Sequence, residues 1–129
     1  MNSEEFKKRT KAFGLRIIRL VESLSETRAS RVTGNQLLRS GTSVGANYRA
    51  ACRAKSRADF ISKMGTVEEE ADESLYWLEM LVDARLVNPT MVAALMKEGD
   101  EILSIVVASI NTSRRGSQSA IRNPQSAIQ

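Results

Sequence analysis

Glu70, Glu73 and Trp77 stand at i, i+3 and i+7, so two carboxylates and an indole share one helix face. Aligned carboxylates are what a divalent metal or an acid–base pair requires. The chain, however, has no histidine and a single cysteine, Cys52. Histidine-based zinc sites, imidazole catalysis and thiolate clusters are thereby excluded. Neither a P-loop nor a Gly-x-Gly-x-x-Gly pattern occurs. The two acids therefore read as part of a structural polar network. Ser43, Asn47 or Arg39 of the preceding helix would donate to them, Ser40 would join the same flank, and the Trp77 N–H would need an acceptor. No catalytic residue, metal or cofactor is expected, and the chain reads as non-enzymatic.

The second chemical pattern is basic. Residues 1–57 carry thirteen Lys/Arg against four Asp/Glu, whereas residues 58–112 carry three against eleven. A net charge of +4 thus conceals a strongly dipolar chain. Arg39, Arg49 and Arg53, with Lys7, Lys8, Lys11, Arg16 and Arg19, could form a phosphate-contacting surface whose binding would weaken with salt. No aromatic ladder accompanies them, so shape and charge would dominate over base readout. An equally open reading gives the basic half to subunit assembly against the acidic half of a neighbour.

These residues are positioned by four apolar-periodic segments, and the chain reads as an all-α protein. The first helix starts near Ser3, with Phe6, Phe13, Ile17, Leu20 and Leu24 as its stripe. The second runs from about Arg31 to Lys55. At about 100° per residue, Leu37, Gly41, Val44, Tyr48 and Cys52 share its core face. Gly41 and Gly45 cost a helix about 1 kcal/mol each relative to Ala, which points to close packing. Small residues along Ser40, Ser43, Asn47, Ala50 and Ala54 mark one flank where a helix could approach. The third runs from about Ala58 to Arg85, with Phe60, Met64, Val67, Ala71, Leu75, Leu78 and Val82 as its stripe and Glu69, Asp72, Glu79 and Asp83 turned to solvent. Asp59 is a candidate cap, with Lys63 paired to a nearby acid. Asn88-Pro89 starts the fourth, which carries Val92, Leu95, Ile102, Ile105, Val106 and Ile110 and ends near Asn111.

After Thr112 the composition turns polar, and QSAI recurs at 118–121 and 125–128. Two units follow: a four-helix bundle domain over 1–112 and a disordered basic tail with a short direct repeat over 113–129. Short connections favour an antiparallel up-down-up-down four-helix bundle. No run approaches the roughly 18 apolar residues of a membrane span, and MNSEEFKKRTK is acidic and then basic with no apolar signal core behind it. A cytoplasmic protein with no membrane partner is expected.

The blocks QLLRSGTSVGANYRAA (36–51), Ala54-Lys55-Ser56, Asp59 to Lys63 and EEADESLYWLEML (69–81) resemble the bacterial four helix bundle protein family, also known as ribosomal RNA intervening-sequence proteins. The resemblance spans about residues 6–112. It implies a bundle assembled into a ring, typically a homopentamer, and is shared with the accessory protein of diversity-generating retroelements. The implied partners are a second copy of the chain, ribosomal RNA or another nucleic acid, and a protein such as a reverse transcriptase. Ser25 and Glu69 depart from the family's usual proline and basic residue. The leading expectation is an oligomeric bundle that binds structured RNA or DNA through its basic surface. The alternative is an oligomeric scaffold or adaptor for a protein partner.

Overall fold

A computed structural model describes residues 1–122, with side chains through Gly116. Four helices follow one another: α1 (Ser3–Glu22), α2 (Arg28–Ala51), α3 (Arg57–Asp83) and α4 (Pro89–Arg122). Each packs against its neighbours in sequence, and α4 returns to touch α1, which closes an antiparallel bundle. The core holds Phe6, Phe13 and Ile17 of α1, Leu37 and Val44 of α2, Met64, Val67 and Leu78 of α3, and Ile102 and Val106 of α4. These are the residues of the periodic stripes. Leu81 is buried where Val82 was expected to complete the stripe of α3, and Val82 lies half-buried.

Local chemistry sets the ends. Asn2, one residue ahead of the expected Ser3, caps α1 by accepting from the Glu5 N–H at 2.9 Å. Thr27 caps α2, which therefore starts three residues earlier than its apolar pattern suggests. Ser56 rather than Asp59 caps α3, accepting from the Asp59 N–H at 3.0 Å. Asp59 instead folds back to accept from the Lys55 N–H at 3.1 Å and pairs with Lys63 at 2.6 Å. These hydrogen bonds hold its carboxyl below the usual range, the one from Lys63 most of all. At the other end of α3, Arg85 takes the left-handed conformation, with φ at 60°. That turn lets the Leu86 N–H reach the Leu81 carbonyl at 2.9 Å and lays Leu86 on the core. Asn88 then accepts from the Thr90 N–H at 3.0 Å and opens α4.

The α4 helix is longer than its apolar pattern. Its last buried core residue is Ile110, yet the helix continues to Arg122. Residues 113–122 are thus helical, where polar composition had suggested a disordered tail. Propagating an existing helix adds one hydrogen bond per residue, so it does not require a new apolar face. No proline interrupts before Pro124. The rest of that segment, 123–129, lies outside the described residues.

The glycines of α2 and α3 have opposite expected effects. A Cβ on Gly41 would sit 2.7 and 2.9 Å from the two γ carbons of Ile17, which is wholly buried and branched at that point. A Cβ on Gly65 would meet nothing within 4 Å. Gly65→Ala is expected to stabilise the protein by about 0.5–1 kcal/mol in urea melts, through helix propensity alone. In Gly41→Ala the same gain is outweighed by an overpacking cost of about 1–3 kcal/mol. Gly41→Ala stabilising the protein as Gly65→Ala does would show that the close approach is not tight.

Candidate nucleic-acid interface

The basic surface begins with the way α1 meets α2. Gly14 faces α2, where a Cβ would lie 3.5 Å from the Thr42 Cα, and a Cβ on Gly45 would lie 3.3 Å from the Lys11 nitrogen. Backbone thus approaches backbone, as the glycines of α2 suggested. The helix that approaches is α1, and it does so along Gly41 and Gly45 rather than along the small flank of Ser40, Ser43 and Asn47.

Beside this crossing runs a surface groove of about 420 Å³ between the two helices. Lys7, Lys8, Lys11 and Arg49 line it, and Gly14, Leu15, Ile18, Gly45 and Ala46 supply its apolar part. Leu15 and Ile18 are 43% and 38% exposed, large apolar side chains left uncovered beside the cations. Lys7 is paired with Glu4 at 2.9 Å. Among the described residues, Lys8, Lys11 and Arg49 have no carboxylate within ion-pair distance. Four of the expected phosphate-contacting residues are therefore brought together.

The other four are not. Arg39 turns to α3, donating to Glu70 at 3.2 Å and to Glu73. Arg39 and Arg49 are ten residues apart, which separates them by about 80° around the helix. The first therefore leans toward α3 and the second toward α1. Arg53 is exposed just beyond the end of α2, and Arg19 is exposed on α1, outside the groove. Arg16 lies seven residues after Arg9, on the flank of α1 facing α4, and its charge helps hold Glu98 ionised.

The expected polar network also divides. Arg39, Glu70, Glu73 and Trp77 form it, with the indole N–H donating to Glu73 at 3.3 Å. Ser40, Ser43 and Asn47 do not take part. They donate to carbonyls of their own helix, Gln36 at 2.9 Å, Arg39 at 2.6 Å and Ser43 at 2.8 Å respectively. A short polar side chain within a helix finds the i−4 carbonyl before it can reach across a helix pair. Glu70 and Glu73 thus share one guanidinium, which offsets half of their charge. Among the described residues, no group of three His, Cys, Asp or Glu is placed to hold a metal ion. Tyr48 and Cys52 lie together on the inner side of α2, with the Tyr48 ring edge-on to Phe6 at 4.7 Å. Burial pushes the Tyr48 hydroxyl's pKa well up.

Sequence reasoning missed Arg9. Its guanidinium spans from α1 to α4, donating twice to Glu98 at 2.7 Å and once to Glu101 at 2.9 Å. The hydrogen bonds from Arg9 hold the Glu98 carboxyl below its ordinary range. No short-range spacing could signal a pair 89 residues apart. Leu15 and Ile18 were also missed. Their signal was legible: two apolar residues three apart, off the core stripe of α1.

The sequence pattern of the 23S rRNA-intervening sequence protein family matches residues 3–108. Among solved structures, one similar fold is a protein of unknown function from the S23 ribosomal protein family of Bacteroides thetaiotaomicron. It shares 35% identity, covers 86% of this chain and 99% of its own, and superposes with a TM-score of 0.80. No curated protein matches.

Proposed function

Because the chain belongs to the 23S rRNA-intervening sequence protein family, we propose that it is a non-enzymatic cytoplasmic protein that binds structured nucleic acid through the α1–α2 groove. One observation carries this reading: Lys8, Lys11 and Arg49 converge on a groove with no carboxylate opposite them among the described residues. Ammonium and guanidinium groups held together without counter-charge favour a polyanion, whose binding releases condensed counterions. The groove has apolar residues but no aromatic ring, so bases would not stack in it. Contacts to a duplex backbone fit it better than readout of single-stranded bases. The family's name makes ribosomal RNA the first nucleic acid to test.

A second reading rests on α3. Its outward face carries Glu69, Asp72, Glu79 and Asp83, with Tyr76 50% and Met80 37% exposed among them. An acidic, partly apolar ridge complements a basic, partly apolar groove, so copies of the chain could join head to tail and close a ring, as in a homopentamer. A protein partner such as a reverse transcriptase would then meet the assembled surface.

Filter binding of a ribosomal RNA hairpin and a DNA duplex, at about 50 and 200 mM salt, separates the readings. The nucleic-acid reading expects binding to both that falls steeply with salt. Absence of binding at the lower salt overturns it.

A further inference from the structure

Leu15 and Ile18 are the part of the groove that its cations do not explain. They stand seven residues beyond Lys8 and Lys11, so the apolar pair follows the cationic pair at roughly 10 Å along the same face of α1. On α2, which runs antiparallel, the glycine crossing sets the register. A Cβ on Gly45 would lie 3.3 Å from the Lys11 nitrogen, and one on Gly14 would lie 3.5 Å from the Thr42 Cα. Arg49 therefore falls at the level of Lys7 and Lys8, and Thr42 at the level of Leu15. The groove is cationic at one end and apolar at the other.

Its floor carries little side chain. Gly14, Gly45 and Ala46 contribute at most a methyl group, which leaves a trough between the helices. The two hydroxyl residues that line it are committed to their own helices. Thr10 donates to the Phe6 carbonyl at 3.0 Å, and Thr42 to the Leu38 carbonyl at 2.7 Å. The apolar end therefore offers no side-chain donor to a base edge or to a sugar hydroxyl. Next to every phosphate of a nucleic-acid strand stands a sugar, and the carbon face of a sugar asks only for apolar contact.

We propose that the backbone of one strand of a duplex lies lengthwise in the groove, its phosphates on Lys8, Lys11 and Arg49 and its adjoining sugars against Leu15 and Ile18. This rests on the nucleic-acid reading above and adds to that site a contact that salt does not screen. Because the apolar end has no donor for a 2′-hydroxyl, RNA and DNA share the contact.

The test is duplex binding by fluorescence anisotropy between about 50 and 200 mM salt, for the full chain and two variants that keep every charge. The slope of log K against log salt counts phosphates, and extrapolation to about 1 M salt reports contacts that release no counterions. Leu15→Ala/Ile18→Ala is expected to lower the line in parallel by about tenfold, equally for an RNA and a DNA duplex. Ala46→Leu, which fills the trough from an exposed position, is expected to weaken binding as well. Circular dichroism and Tm check the fold of each variant, and if the alanine variant unfolds, Ala46→Leu decides alone. Unchanged affinity overturns the seated strand and leaves the cations, with the nucleic-acid reading, standing. A shallower slope also overturns it, because the apolar residues would then act through the cations. If the alanine variant keeps its affinity but falls from oligomer to monomer in light scattering, a second copy covers Leu15 and Ile18 and the proposal fails. No binding by the full chain at the lower salt overturns the proposal and the nucleic-acid reading together.

Discussion

Reversing Lys8, Lys11 and Arg49 together to glutamate is expected to weaken duplex binding by on the order of a hundredfold or more at low salt, and to cut the salt slope by about 3. The loss should be nearly uniform across sequences, because contacts to phosphate carry no base information. Lys8, Lys11 and Arg49 are exposed, and none has a carboxylate partner among the described residues. Each surface change should therefore alter stability by no more than about 0.5 kcal/mol. The triple variant would stay folded, which makes its binding loss interpretable. Light scattering on the same samples addresses the assembly reading. A variant that keeps its affinity but falls from oligomer to monomer would move the groove from nucleic acid to the subunit interface.

Phe13→Ala is expected to cost about 3–5 kcal/mol in urea or thermal unfolding and to lower Tm by on the order of 15 °C. Phe13 is 1% exposed, and its ring lies beneath Gly99 of α4, where a Cβ would be 3.4 Å from the Phe13 Cε1. It is thus an apolar link between α1 and α4, two helices that touch far less than α1 touches α2. A polar link is the ion pair of Arg9 with Glu98 and Glu101, which cannot fill the void left by a benzyl group. A loss below about 1.5 kcal/mol would mean that α4 collapses onto the gap, and that the α1–α4 seam is looser than this packing implies.

The fold was largely legible in the sequence. Four amphipathic segments, separated by polar residues near Ser25, the break between Lys55 and Ala58, and Asn88-Pro89, left little choice but an antiparallel bundle. Gly41 and Gly45 announced a close approach, yet they could not say to which helix, because a glycine records only that room is needed. Arg39 shows where helical angle stops being informative. Its Cα belongs to the same broad face as Arg49, but six bonds of side chain carry the guanidinium over to Glu70 and Glu73. The length of α4 escaped detection for a different reason. Between Ile110 and Ala120 no apolar residue occurs, and periodicity reports burial rather than helix as such.

The thin α1–α4 seam has a consequence for how the molecule breathes. Three of the four helix contacts are broad, so the bundle resembles a book whose pages are sewn along one side and merely clasped along the other. Phe13 and Arg9 are the clasp. Transient opening should therefore begin with α1 swinging on its glycine crossing with α2, exposing its amides to exchange before those of α2 and α3. Because α1 also carries Lys7, Lys8 and Lys11, a ligand bridging them to Arg49 would hold the page shut, and α1 exchange would slow on binding.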